Sequence, residues 1–360
     1  MASVKKREDG VWRARYRDAA GKEHARHFPR KIDAQKWLDE VTAAVVTGAY
    51  VDPRAGKVTF SAYAMSWAAG QQWRPKTRRR VESSLRVHLC PRLGERPIAS
   101  ILPSEVQGVV KSLSETLAPG TVRMIYATLR AVFRAATLDR VIVTSPCVRI
   151  SLPTVDHKTL VIPDAALVRR IAAELPPHWQ AVPLLAAGTG LRPGEVFGLD
   201  VADVDFLRRT VRVHQQLNEA RQLAPLKTRS SYRTVPLPQV VADELARHLA
   251  ASSRREGLIF PGAEGNAARL NTFTVAWRRA VAKIDGPAGL RLHDLRHSYA
   301  SALIQAGESV KTIQNRMGHA SAMVTLDVYG HLWPDSEERT RAAVDAWLAL
   351  PADSVRTAEA

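Results

Sequence analysis

Two spacings of apolar residues divide the chain. Near the N-terminus Trp12, Ala14 and Tyr16 alternate with Arg13, Arg15 and Arg17, the two-residue period of a strand with one buried face. Residues 18–22 supply a turn, and Lys22–Phe28 ("KEHARHF") reads as a returning strand. Asp33 is placed to cap a helix whose Ala34, Trp37, Leu38, Val41, Ala44 and Val45 share one face. After a linker over 51–57 ("VDPRAGK") the spacing turns helical and stays so from Val58 to about Arg149. It predicts four or five helices, broken near Arg74-Pro75, Cys90-Pro91 and Leu117 to Gly120. The strongest, Thr121 to Asp139, aligns Val122, Ile125, Leu129, Val132, Phe133 and Ala136, and turns Arg123, Arg130 and Arg134 to another face. A basic run holding Lys76, Arg78, Arg79 and Arg80 opens the helical hairpin before it.

Residues 143–159 contain Pro146 and Pro153, lack periodicity, and read as a second linker. Helices are expected at 163–174 and 178–188, then a hairpin or three-stranded sheet from Val201 to Leu237, in which "TVRVH" and "RTVPL" alternate. The remainder is helical. Ser309 is a cap, Val310, Ile313 and Met317 face inward, and Gly318 is a left-handed stop. A last helix, Ser336 to Leu350, carries an apolar stripe of Val344, Trp347 and Leu348. The expected fold class is therefore multidomain and mainly α with small β-sheets. Its expected divisions are a sheet-plus-helix module (1–50), a helical domain (57–150) and a mixed α+β domain (158–350).

Charge sharpens this division. The 360 residues carry a formal net charge of +17, which favours a polyanionic partner. It is unevenly spread: +4 over residues 1–50, +10 over 51–155 and +3 over 156–360. The helical segment should thus be the main electrostatic grip. Two cysteines, Cys90 and Cys147, make neither a metal spacing nor a disulfide framework. The opening "MASVKKREDG" lacks the apolar stretch of a signal peptide, and no run is long enough to span a bilayer. A cytosolic protein with no membrane partner is expected.

The candidate chemistry lies in the second half, in fixed order: Arg192 in "TGLRPGE", Lys227 in "APLKTRSSYRTVPL", His293 and Arg296 in "LHDLRHS", His319 in "MGHAS" and Tyr329 in "TLDVYGH". Arginines can neutralise the non-bridging oxygens of a phosphodiester by bidentate, charge-assisted bonds. Histidines add donors and move protons, a lysine can protonate a leaving oxygen, and a phenol can attack phosphorus. A lone His-x-x-Arg would mean little, since His27–Arg30 makes another in a basic surface stretch. Pro193 places Arg192 at a helix N-terminus, where backbone N–H groups favour an anion, and Glu195, one turn on, can hold its guanidinium. His293 and His297 have the i, i+4 spacing of a zinc pair, but Asp294 follows the first, no third ligand is evident, and a cation at Arg296 opposes a metal.

In residue types, order and context these six positions resemble the tyrosine recombinases, the phage integrase family. The resemblance implies that Tyr329 is the nucleophile, Lys227 the general acid, and Arg192, Arg296, His293 and His319 the phosphate clamp, with Glu195 in support. It implies strand breakage and rejoining through a 3′-phosphotyrosyl bond, with no metal or other cofactor. The partner would be double-stranded DNA at core and arm-type attachment sites. A tetramer would form on DNA from a protein that is monomeric when free, with accessory bending or directionality proteins possible. The module over 1–50 resembles an arm-site-binding domain, with Arg13, Arg15 and Arg17 toward DNA, and 57–150 resembles the helical core-binding clamp. The final helix would dock onto a neighbouring protomer. Two rival readings remain at this point: a type IB topoisomerase, and a DNA-binding regulator without catalysis.

Overall fold

The computed structural model describes residues 2–17, 21–46, 52, 54–155, 161–262, 265–333 and 337–349. Most of the expected turn at 18–22, and parts of both expected linkers, lie outside these residues. The chain forms two compact units, Met1–His157 and Lys158–Ala360.

In the first unit, β1 (Ser3–Lys6), β2 (Trp12–Arg17) and β3 (Glu23–Phe28) form an antiparallel sheet in that order, beside α1 (Lys31–Val46). Strand β1 is an addition to the two strands expected; its four residues are too short to show alternation. Ala14 and Tyr16 are buried with Ala34 and Leu38, as the period-2 pattern requires. Arg13, Arg15 and Arg17 stand on the other face, where their guanidinium groups lie 3.5, 3.9 and 3.8 Å from the one carboxylate of Glu23. Helix α1 begins before Asp33, because the Arg30 carbonyl already accepts from Ala34 N–H at 3.3 Å. Asp33 thus sits inside the first turn, where its charge still suits the positive helix end.

A separate hydrophobic cluster joins α2 (Phe60–Ala69), α3 (Pro75–Ser83), α4 (Cys90–Leu93), α5 (Pro103–Ser114) and α6 (Pro119–Leu138). All six apolar positions expected to line α6 are buried, and Arg123, Arg130 and Arg134 are exposed. Arg123 is tied back, its Nε donating to the Pro153 carbonyl at 3.0 Å. The break expected at Cys90-Pro91 does not occur: α3 runs through a π-helical turn, Ser84–Leu89, into α4. A wider turn relieves the collision between a proline ring and the carbonyl one α-turn back, so the helix continues.

The second unit opens with α7 (Ala165–Glu174), capped by Asp164, whose carboxylate accepts from Leu167 N–H at 2.7 Å. Next come α8 (Ala181–Thr189) and the single turn α9 (Pro193–Val196). Strands β4 (Val204–Asp205), β5 (Thr210–Val213) and β8 (Arg233–Pro236) form an antiparallel sheet in that order, and β6 (Gln215–Leu217) pairs with β7 (Leu223–Pro225) as an inserted hairpin. Then follow α10 (Gln239–Ala251), α11 (Leu270–Lys283), α12 (Leu295–Gln305), α13 (Val310–Met317), α14 (Ala322–Tyr329) and α15 (Glu337–Leu348). Ser309 caps α13, accepting from Thr312 N–H at 3.0 Å. One cluster including Leu185, Phe197, Phe260 and Trp277 forms the core, and Tyr329 belongs to it. Among the described residues, no helix is long and apolar enough to cross a membrane.

Leu129 is 1% exposed at the centre of the α6 stripe. Leu129→Ala should therefore cost about 2–5 kcal/mol through lost burial and a residual cavity. Urea unfolding followed by circular dichroism checks this; an unchanged midpoint would remove α6 from the core of its unit.

Candidate active site

Helix ends in the second unit create the site. Helix α8 stops at Gly190 (φ +63) and α13 at Gly318 (φ +62), left-handed positions that glycine adopts without a steric cost. Each turn leaves carbonyls unsatisfied by the helix, and arginines take them. Arg296, on the first turn of α12, donates from Nη1 to the Gly190 carbonyl and from Nη2 to that of Met317. Arg192, the residue before α9, donates from Nη2 to Gly318 at 3.1 Å. A Cβ at Gly190 would collide with the Tyr299 ring.

Glu195, 1% exposed, ties the arginines together. It accepts from Arg192 Nη1 at 2.8 Å and from the Arg192 backbone N–H at 2.9 Å. Its two oxygens also accept from Arg233 Nη1 and Nη2, at 3.2 and 2.8 Å. Arg233 in turn donates from Nε to the Arg316 carbonyl at 2.8 Å. Burial alone would raise the Glu195 pKa, but Arg233 and Arg192 outweigh it and hold the carboxyl below its ordinary value. Among the described residues, the side-chain hydrogen bonds of Arg296, 3% exposed, go to carbonyls alone. Burial, then repulsion from Arg192 and Arg233, lowers its pKa to about 9, which leaves it charged at neutral pH.

Around these cations lie three histidines and the tyrosine. Tyr329, the last residue of α14, is 1% exposed, and burial pushes its phenol up to about 12 against the opposing pull of Arg296. The His319 ring stacks at 6.5 Å between centroids, nearly parallel to Tyr329, and its Nδ1 is 2.8 Å from Thr325 Oγ1. His293 lies in a short 3-10 turn, Leu292–Asp294, ahead of α12 rather than on the helix itself. Burial and then Arg296 depress the pKa of His293 to about 4 and of His319 to about 3. Both are neutral at pH 7.

The structure thus gathers Arg192, Glu195, His293, Arg296, His319 and Tyr329. Lys227 is exposed, in the loop between β7 and the turn Arg229–Ser231. Two members of the cluster were missed in the sequence reading. Arg233 figured only inside the stretch quoted around Lys227, yet it shares strand parity with the buried Val235, the one signal that points it inward. His297 figured only as half of a zinc pair, yet its Nδ1 lies 2.8 Å from the Tyr329 hydroxyl.

A deep tyrosine hydroxyl among cations that outnumber their one carboxylate places the protein in the class of tyrosine-dependent DNA strand transferases, and comparison with known proteins agrees. Residues 166–335 match the phage integrase family and residues 60–151 the phage integrase central domain. The integrase of Mycobacterium phage L5 is 26% identical over 339 residues, 90% of each chain. The ICEBs1 integrase of Bacillus subtilis is 26% identical over 70% of this chain and 72% of that one. Among solved structures, the Tn1549 transposon integrase in complex with a circular intermediate DNA matches with TM-score 0.70 at 21% identity, covering 81% of this chain and 100% of that one. A lambda integrase tetramer bound to a Holliday junction matches with TM-score 0.59 at 18% identity, covering 89% and 96%. The chain belongs to the phage integrase family of tyrosine recombinases.

The pKa shifts fix the sign of an acid sensitivity. His293 and His319 have folded values below the unfolded value of about 6.5, so their stability contribution is complete above that pH and is lost toward pH 4 and 3. Glu195, also depressed, adds a loss below the ordinary carboxylate range. Melting temperature should fall steadily from pH 7 to 4, and His319→Asn should flatten the upper part of that fall. Separately, Glu195→Gln should cost about 3–5 kcal/mol at pH 7, because it strips a buried Arg233 of its counter-ion. A wild-type melting temperature for Glu195→Gln would show that the arginines do not depend on this carboxylate.

Proposed function

We propose that the protein is a site-specific DNA recombinase that integrates or excises a mobile element, with Tyr329 attacking the scissile phosphate. The tyrosine hydroxyl close to Arg296, which is itself crowded by Arg192 and Arg233 around the buried Glu195 carboxylate, is the observation that carries this reading. Excess positive charge in a low-dielectric site is suited to the two non-bridging oxygens of a phosphodiester, and to the extra charge that develops in its transition state. The same phosphate would raise the pKa values of His293 and His319, turning neutral rings into stronger donors as DNA binds. Attack gives a 3′-phosphotyrosyl bond and a free 5′-hydroxyl; a 5′-hydroxyl from a partner duplex then reverses the step. Lys227, in an exposed loop that DNA could draw inward, is the general acid for the departing 5′ oxygen.

DNA recognition is divided along the chain. The +10 of residues 51–155 supports a core-site clamp using Lys76, Arg78, Arg79, Arg80, Arg130 and Arg134, while the Arg13, Arg15 and Arg17 face supports an arm-site contact. Arg123 contributes less, since its guanidinium is engaged by Pro153. Tetramer formation on DNA is supported by α15, where Val344, Trp347 and Leu348 are 48%, 66% and 67% exposed. Such a stripe calls for a second surface to cover it.

With a nicked duplex carrying the core site, mapped by footprinting on DNA that flanks the gene, wild type should form a covalent adduct on a denaturing gel. Tyr329→Phe should form none, and an equal yield would exclude Tyr329 as nucleophile. Arg192→Ala and Arg296→Ala should each slow single-turnover cleavage by about 10²–10³, with little change in DNA affinity. Lys227→Ala should be slow on ordinary DNA yet largely restored when the bridging 5′ oxygen is sulfur, which leaves without a proton; equal slowness on both substrates would reassign the lysine. Deleting residues 1–50 should abolish only an outer footprint, whereas loss of the core footprint would make that module part of the clamp.

A further inference from the structure

His297 makes a hydrogen bond to the Tyr329 hydroxyl at 2.8 Å through Nδ1, with the two rings 5.6 Å apart. An imidazole nitrogen accepts only when the ring proton sits on the other nitrogen. That other nitrogen, Nε2, faces Asp294 Oδ1 at 4.0 Å, and a nearby carboxylate favours the proton there. Asp294 is itself held in place. It is 9% exposed and accepts from the Arg291 backbone N–H at 2.8 Å, from Arg291 Nη2 at 2.9 Å and from Nε at 3.4 Å. Tyrosine, histidine and aspartate therefore stand in line, with the phenol at one end and a fixed negative charge at the other.

Neither other histidine at the site has this contact. His319 uses Nδ1 on Thr325 and presents its ring face to Tyr329. His293 meets the edge of His297, at 5.7 Å between centroids. A buried phenol cannot attack phosphorus while it keeps its proton, and on a residue that is 1% exposed a neighbouring side chain is the nearest place for that proton to go.

We propose that His297 is the general base that removes the Tyr329 phenolic proton, with Asp294 as its positioning partner; this rests on Tyr329 being the nucleophile. As Oη bonds to phosphorus, the Oη–H bond breaks and its proton passes to Nδ1. The P–O5′ bond breaks, and the 5′ oxygen takes a proton from Lys227. In rejoining, the incoming 5′-hydroxyl loses its proton to the lysine, and Nδ1 returns its own proton to the departing phenolate. The cycle closes with no net gain or loss. Burial, Arg296 and Arg291 lower the His297 pKa while Asp294 opposes them, and His293 lies alongside. The ring is thus in its unprotonated, accepting form at neutral pH.

Two measurements test this. In the free full-length protein with 15N-labelled histidine, NMR should find His297 as the Nε2–H form, with its Nδ1 signal displaced in Tyr329→Phe. A proton on Nδ1, or no response to Tyr329→Phe, overturns the proposal without any need for DNA or for a folded His297 variant. In single-turnover cleavage of the nicked core-site duplex, wild type should rise with pH to a plateau. His297→Ala should be about 10²-fold slower or more at pH 7, should keep climbing with pH as the phenol ionises unaided, and should regain rate with added imidazole. His297→Gln retains an acceptor but cannot take a proton, so it should be as slow as the alanine variant. A glutamine variant at the wild-type rate would show that His297 only orients the tyrosine. Absence of any wild-type adduct would sink the nucleophile assignment itself, whereas a wild-type adduct with unimpaired His297 variants would sink only the base.

Discussion

The buried carboxylate of Glu195 is the constraint on which the rest of the site depends. Two guanidinium groups, from Arg192 one turn before it and from Arg233 on strand β8, converge on its two oxygens. Without that charge, desolvation would oppose bringing three arginines into one interior. With it, the helical turn α9 is fixed against strand β8, and through the Arg233–Arg316 contact against α13. The carboxylate does not neutralise what it organises. Three cations against one anion leave a positive excess, and in a low-dielectric setting that excess is a standing preference for a phosphate.

Backbone carbonyls complete what the carboxylate leaves undone. The left-handed glycines at 190 and 318 end two helices so that their last carbonyls face arginines instead of water. These carbonyls satisfy guanidinium donors without cancelling charge, which keeps Arg296 a cation although burial pulls its pKa to about 9. The histidines follow the same logic in reverse. Buried first of all, and then repelled by the neighbouring arginines, His293 and His319 shed their protons and stand neutral. Charge is thereby concentrated on groups that cannot lose it near neutral pH.

Elsewhere charge is handled differently. On the N-terminal sheet three arginines share the single carboxylate of Glu23 at 3.5–3.9 Å, contacts that are solvent-screened and weak. A polyanion can displace such contacts at little cost. On α6 the basic face is opposite a fully buried apolar stripe, and the stripe, not the charge, sets the orientation of that face.

The sequence by itself determined much of this protein. Apolar periods of two and of 3.6 residues, with their caps and stops, located β2, β3, α6 and α13, because those signals depend on local burial alone. Residue type and order singled out Arg192, His293, Arg296, His319 and Tyr329, which the fold brings together, and also Lys227, which lies exposed in a loop. What remained hidden is what local pattern does not encode. The Cys90-Pro91 junction read as a break, but packing on both sides of it carries the helix through in a π turn. Arg233 and His297 looked like neighbours of more conspicuous residues, since pairing Arg233 with Glu195 spans 38 residues and pairing His297 with Tyr329 spans 32. Only the tertiary fold, by closing those distances in a common interior, decided which cations share a carboxylate and which histidine meets the tyrosine hydroxyl.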